Sequence, residues 1–411
     1  MPFIGDDWAE GHHDVVAQDD AGKALARRRL PEGADGIARF HEMVASCLGE
    51  DAEPDPARVV VVIETDRGPW VKALAAAGYR VYPANPKQAA RHKETIAVSG
   101  KKDDFFDAGA LADMGRTRRH QMRELAADSD IAEAVKIAAR AHQKLVWERT
   151  RHLLRMRSAL REYFPAALEA YAGLSLTGPD TLELLRKAPD PASAARLTVT
   201  QVTAALRRAG RRGALDERAR NIQAALRAPH LSQPAVIAEA HAASVQAGAA
   251  VIAALNEQCK VMEAKVSEFF RRHPDAGVYL SQPGIGDITG ARILGEFGDA
   301  PGRYASAKAR KNYAGTSPLT IQPGKKTVHA RYIRNRHLID ALRAQALSAL
   351  IASPGARACY DELRAHDTGH DDALRRVAGR LAGILHGCVK TSREYDETTA
   401  WSHRPEFPQA A

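Results

Sequence analysis

The chain has 411 residues, with 59 Lys and Arg against 50 Asp and Glu, a net charge of +9 and a pI near 9.4. That length provides for about two or three domains, and a hydrophobic content of 45% excludes wholesale disorder. The basic balance favours a polyanionic partner, and nucleic acid fits better than a membrane, because neither a bilayer-length apolar run nor an N-terminal basic-then-apolar signal stands out.

Taken in chain order, Ile4-Gly5-Asp6-Asp7 and His13-Asp14-Val15-Val16-Ala17 read as strands, and Lys23 to Leu30 as a third. Val59-Val60-Val61-Val62-Ile63 is a continuous β-branched run ending on Glu64, the pattern of a strand buried on both faces. Gly68-Pro69-Trp70 opens a helix to Ala77, and Tyr79-Arg80-Val81-Tyr82 is a short strand before Pro83. Strands followed by strand-helix-strand alternation predict a mixed α/β sheet. Asp103-Asp104 then starts a helix over Phe105 to Met114, and Asp107, three residues after Asp104, lies on the same helix face.

Asp7 and Glu64 at strand ends, with the pair Asp104 and Asp107, suit metal-dependent phosphodiester chemistry. Magnesium takes oxygen ligands and a few carboxylates, leaving other positions for water and phosphate. Two such ions about 3.5–4 Å apart hold the attacking and leaving oxygens of an in-line displacement. Spacing alone leaves a choice within each of the pairs Asp6 and Asp7, Glu64 and Asp66, Asp103 and Asp104, since a single Asp is often a turn former or helix cap.

The middle of the chain is helical. From Ile131 to Tyr163 apolar residues recur at steps of three and four, beside Lys136, Arg140, Lys144, Arg149, Arg151, Arg155 and Arg157, and a second long helix runs from Pro234 through Arg272. Between them, prolines and glycines break the chain into short helices, and Arg207, Arg208, Arg211 and Arg212 flank a Gly210 to Gly213 turn as candidate phosphate contacts. Further on, Pro283-Gly284-Ile285-Gly286 leads into a helix like a helix-hairpin-helix element, offering backbone N–H groups at Gly284 and Gly286 to phosphate oxygens. Lys308, Arg310, Lys311, Lys325, Lys326, Arg331, Arg334, Arg336 and His337, interleaved with Tyr304, Tyr313 and Tyr332, read as a DNA-contacting stretch. Cys47, Cys259, Cys359 and Cys388 are scattered without Cys-x-x-Cys spacing, which reads as reduced, cytoplasmic thiols and no zinc site.

Ile4-Gly5-Asp6-Asp7-Trp8-Ala9-Glu10, Val62-Ile63-Glu64-Thr65 and Lys101-Lys102-Asp103-Asp104-Phe105-Phe106-Asp107-Ala108 resemble the three acidic motifs of the DEDD transposases of the IS110 group, which include the Piv-type invertases. Gln282-Pro283-Gly284-Ile285-Gly286, Tyr313-Ala314-Gly315-Thr316-Ser317-Pro318 and Tyr332-Ile333-Arg334-Asn335-Arg336 are similar to motifs of that group's C-terminal domain. The resemblance implies a RuvC-like, ribonuclease-H-type domain over 1–125, a helical coiled-coil region over 126–275 and a mainly helical transposase domain over 276–411. It implies Mg2+ held by Asp7, Glu64, Asp104 and Asp107, and action on donor and target double-stranded DNA. It further implies guidance by a structured non-coding RNA, assembly as a dimer or tetramer of identical chains, and a serine nucleophile in the C-terminal domain. In this register the nucleophile stands just before Gly324, and position 323 carries Pro323. The sequence therefore predicts either a DNA recombinase in which another hydroxyl such as Ser317 or Thr320 substitutes, an inactive or attenuated nucleic-acid-binding relative, or a junction nuclease working with metal alone.

Overall fold

The structure, a computed structural model, describes residues 1–48, 55–96, 103–125, 128–317, 319–321, 328–330 and 335–402. It divides into two compact units, Met1–Ala127 and Asp128–Ala411.

In the first unit β1 (Phe3–Trp8), β2 (His12–Gln18), β3 (Ala24–Pro31), β4 (Val60–Ile63) and β5 (Arg80–Pro83) form one sheet in the order β3-β2-β1-β4-β5. The first three strands pair antiparallel, whereas β4 and β5 run parallel to β1. Every residue of β4 is 0% exposed, because helices cover both faces of the sheet there. On one face α1 (Ala34–Leu48) and α2 (Pro69–Ala76) pack Phe40, Val44, Trp70 and Leu74 against Ile4, Val15, Val61 and Ile63. On the other, α3 (Pro86–Ile96) and α4 (Asp104–Arg118) pack Ala89, Leu111 and Met114 against Phe3, Val60, Val62 and Tyr82.

The approach of α4 to β1 is closer than side chains normally permit. A Cβ on Gly5 would stand 1.8 Å from the Ala108 carbonyl oxygen and 2.4 Å from the Ala112 nitrogen. Glycine on the strand, with Ala108 and Ala112 one turn apart on the helix, lets main chain meet main chain. Asp103 caps α4 by accepting from the Phe105 N–H, an interaction that stabilises a helix start by about 1 kcal/mol.

The second unit is built on two long helices, α5 (Asp130–Tyr163) and α11 (Ala235–Arg271). His142 meets Glu263, Arg149 meets Asn256 and His241 meets Glu162, so the two helices run antiparallel. Between them in sequence lie α6 (Pro165–Ala170), α7 (Pro179–Lys187), α8 (Pro191–Ala195), α9 (Val199–Arg208) and α10 (Leu215–Arg227). These bury Leu184, Leu185, Leu206 and Ile222 with Leu160 and Val245 at one end of the pair. At the other end Val135, Val266 and Phe270 join a core made by α12 (Ala276–Leu280), α13 (Asp287–Phe297), α14 (Ala307–Tyr313), α15 (Arg336–Ala352), α16 (Pro354–Ala365), α17 (His370–Thr391) and α18 (Glu397–Trp401). A short hairpin of β6 (Leu319–Ile321) and β7 (Val328–Ala330) stands between α14 and α15. The mixed sheet followed by a largely helical remainder is the α/β plus α class that the sequence predicts.

One expectation needs correction. α11 is long enough to cross a bilayer and carries an 18-residue window of mean hydropathy 1.4, so an apolar run of that length does exist. Its alanine-rich composition concealed it, and the same helix buries Val245, Ala249 and Ile252 against its neighbours.

Candidate active site

Side-chain alternation decides which acids can meet. Phe3 packs with α3 and α4, so Gly5 and Asp7, two and four residues later, face the same side, and Val60, Val62 and Glu64 do likewise along the parallel neighbour. Asp7 and Glu64 lie one step beyond the last register pair, Asp6 with Ile63. Because Gly5 draws α4 onto β1, the first turn of α4 carries Asp104 and Asp107 toward those strand ends.

The carboxylates converge on one ammonium group. Lys93 of α3 places Nζ 3.1 Å from Asp107 Oδ2 and 3.6 Å from Glu64 Oε1. The Asp7 carboxyl is pushed up to about 6, chiefly by burial; Lys93 pulls against the rise, while Asp107, Glu64 and Asp104 add to it. Asp104 is turned outward: Arg29 Nη2 bonds its Oδ2 at 2.9 Å and Asp14 Oδ2 at 2.7 Å. His12, Asp14 and Asp104 bring ligand atoms within 4.8 Å of one another, a closeness that no three of Asp7, Glu64, Asp104 and Asp107 reach among the described residues. Sequence reasoning missed Asp14, His12, Arg29 and Lys93. The register supplies the signal for Asp14, which stands directly across from Asp7 on β2 and therefore on the same face.

The neighbouring acids have other roles. Asp6 faces the opposite layer, fully buried, accepting from Trp70 Nε1 at 2.7 Å and sharing a 2.7 Å bond with His13 Nδ1. His13 Nε2 lies 2.6 Å from Glu32 Oε2, and its ring stacks on Trp70 with centroids 3.7 Å apart. Asp103 is occupied as the α4 cap, and Asp66 is exposed in the loop after β4.

In the second unit Arg207, Arg212, Lys308 and Arg336 are exposed, whereas Arg208 pairs with Glu183 and Arg211 with the buried Asp180. Gly286 is open at the start of α13. Gly284, at φ 75°, packs its Cα where a Cβ would meet the Gln345 carbonyl at 2.5 Å, so that part of the turn is seated on α15. Arg310 and Tyr304 correct the reading of an exposed basic-aromatic stretch. Arg310 is 5% exposed, its guanidinium 4.9 Å from the ring centres of both Phe297 and Tyr304, and Tyr304 and Tyr313 pack on Phe297. The interleaving there reflects cation–π packing inside the core. Pro323, Lys325, Lys326, Arg331, Arg334 and Tyr332 lie outside the described residues. Ser317 is half-buried, next to a Thr316 carbonyl that accepts from Arg375 Nη1 at 2.9 Å.

An acidic centre at the strand ends of a mixed sheet, in a chain with a separate basic helical unit, is the outline of a protein that works on phosphodiesters. Comparison with known proteins gives the particular family. Residues 4–165 match the DEDD transposase family of IS110, and residues 278–361 match the transposase family of IS116, IS110 and IS902. The chain is 39% identical to the mini-circle transposase candidate of IS117 from Streptomyces coelicolor, over 97% of this chain and 96% of that one. It is 29% identical to an uncharacterized 42 kDa protein of insertion element IS900 from Mycobacterium paratuberculosis, over 94% and 95% of the two chains. It is also 27% identical to the 43.6 kDa protein of IS110 from Streptomyces coelicolor, over 96% and 95%. The chain belongs to the IS110 family of transposases, enzymes that act on DNA.

Proposed function

We propose that this transposase cleaves and exchanges DNA strands with Mg2+ bound at the acidic centre of the first unit. The observation that carries this reading is the convergence of Glu64 and Asp107 on one cation, Lys93, with Asp7 pushed upward by burial and then by its acidic neighbours. Such a set of hard oxygen donors, short of positive charge, fits a divalent cation. Asp7, Glu64 and Asp107 would hold it once their side chains turn inward from their present spacing, with Asp104 joining on release from Arg29. When bound there, the ion supplies charge stabilisation at the phosphoryl oxygens. The chain's own groups position it: β1 and β4 fix Asp7 and Glu64, and the Gly5 contact fixes Asp107.

The rest of the reading assigns residues 1–125 to catalysis, 126–275 to the helical coiled-coil region and 276–411 to the transposase domain that supplies the covalent step. The substrates are donor and target duplexes, a structured non-coding RNA chooses the site, the working form is a homo-oligomer and the reaction takes place in the cytoplasm. Arg207, Arg212, Lys308, Lys325, Lys326, Arg331, Arg334, Arg336 and the backbone at Gly286 contact nucleic acid, with Gly284 setting the turn from its seat on α15. Proline at the expected nucleophile position favours a second reading, an attenuated enzyme that binds its RNA and DNA with little strand transfer, unless Ser317 takes over the attack. The experiment is cleavage of a supercoiled plasmid carrying the flanks of the element, with and without chelator, using protein whose co-purified RNA has been sequenced. Chelator-sensitive cleavage and a discrete structured RNA are expected; cleavage that persists without divalent metal would overturn the assignment of the acids.

A further inference from the structure

We propose that Lys93 is a built-in counter-ion of the acidic centre, holding Glu64 and Asp107 until a divalent cation displaces it and then facing the scissile phosphate. The inference rests on the metal-binding reading above. Among the basic side chains of α3, Lys87 and Arg91 are exposed, whereas the Lys93 side chain is only 22% exposed. Lys93 follows Ala89 by one turn on the face of α3 that packs inward, beside His92, which bonds Asp113 of α4 at 3.0 Å. With the helix docked so, the Lys93 ammonium stands at the two carboxylates.

The consequence is electrostatic competition. The ammonium lies 3.1 Å from Asp107 and 3.6 Å from Glu64, so a dication bound to the same two carboxylates would stand within a few ångströms of it, and the two like charges would repel. Binding therefore expels Nζ, while the stem stays anchored on α3. A lysine is a compact, mobile point charge on a four-carbon tether, able to swing a few ångströms without moving its helix. The displaced ammonium stays within reach of the phosphate that the same cation attracts, so one side chain neutralises the carboxylates before loading and the phosphate after it. Arg29 differs in kind: its planar fork is bonded to Asp14 through both Nε and Nη2, which favours a fixed brace over an exchangeable charge.

The test measures metal binding apart from turnover. Calorimetric titration of Mg2+ and of Mn2+ into the full-length protein is compared for wild type, Lys93→Met and Lys93→Gln, with circular dichroism to establish folding. Removal of the competitor should tighten metal binding roughly tenfold, toward the lower end of the usual range for two coupled ligands, in whichever variant folds. The same variant should cleave DNA more slowly at saturating metal, since the phosphate has lost its ammonium. Unchanged metal affinity in a folded variant would overturn the Lys93 proposal while leaving the metal site in place. Wild-type protein that binds no metal, or binds it equally well as Asp107→Asn, would instead remove the underlying reading.

Discussion

Each unit of the molecule stacks a histidine on a tryptophan, and the surroundings shift the two rings in opposite directions. In the first unit His13 lies on Trp70; burial alone would lower its pKa, but bonds to Asp6 and Glu32 outweigh it and the net shift is upward. In the second, His337 stacks on Trp147 at 4.7 Å, and there burial lowers the pKa most; Glu296 pulls it up, while Arg140, Lys144 and Arg292 lower it further. The ring and its partner are the same, so the difference comes from the field. The first unit concentrates carboxylates near the strand ends and welcomes cations, whereas the second surrounds its polar core with guanidinium groups. On the proposed reading, the first receives metal and the second faces a polyanion.

The contrast can be broken most severely on the acidic side. Asp7→Asn is expected to reduce Mg2+-dependent strand cleavage by at least about a thousandfold, the several kcal/mol that a metal contributes at a phosphoryl centre. Nucleic-acid affinity in a filter-binding assay should be preserved. If cleavage falls only in proportion to a loss of DNA binding, the acids are not a separate function.

The next effect is chemical and belongs to the second unit. Pro323→Ser places a hydroxyl beside Gly324 and restores the N–H that proline lacks, and recombination should rise by about a hundredfold, the scale on which a positioned catalytic group acts. A denaturation-resistant protein–DNA adduct already formed by the unmodified protein, and lost on Ser317→Ala, would give the role to Ser317.

These two changes also show how unevenly the sequence can be read. β-Branched runs, the Pro69 helix start and the Asp103 cap were legible because each depends on neighbours in the chain. The placing of Asp104 and Asp107 in the first turn of one helix was legible for the same reason. Lys93 and Arg29 were not, since on their own elements they read as solvated charge, and their roles come from α3 meeting α4 and from β3 pairing with β2. Arg310 misled for the converse reason: among lysines and tyrosines it looks like a surface, and only the packing of Phe297 beside it makes it interior.

A smaller effect sharpens the basic side. Binding should weaken with salt at a log-log slope of about −0.9 per neutralised phosphate on duplex DNA. Replacing Arg207, Arg212, Lys308 or Arg336 singly by Ala should flatten that slope by about one unit if the position touches a phosphate, and none of the unit 1 acids should alter it. An unchanged slope in all four variants would move the binding surface elsewhere.

The smallest effect tests the two stacks directly. The folded His337 and His142 sit below the ordinary 6.5, so their contribution to stability is complete above that value and is lost as pH falls through their folded pKa values. His13 sits above it, so its contribution is complete below 6.5 and is lost as pH rises through its folded value. Hydrogen exchange, corrected for intrinsic rate and read separately in the two units, should show the second loosening toward pH 5 and the first toward pH 8, by roughly 1.4 kcal/mol per unit of displacement. Parallel behaviour in both units would erase the contrast.

The meeting of Gly5 with Ala108 and Ala112 has a mechanical meaning as well. Most helices rest on a sheet through side chains, whose rotamers act as shims and absorb small errors in spacing. Here the seat is bare main chain, so nothing adjustable stands between the strand that carries one acid and the helix that carries two more. The gap between them is gauged by the thickness of two backbones, a dimension that cannot be retuned by exchanging one hydrophobic residue for another. A single added methyl at position 5 would act as a wedge, tilting an intact set of carboxylates out of alignment without altering one of them.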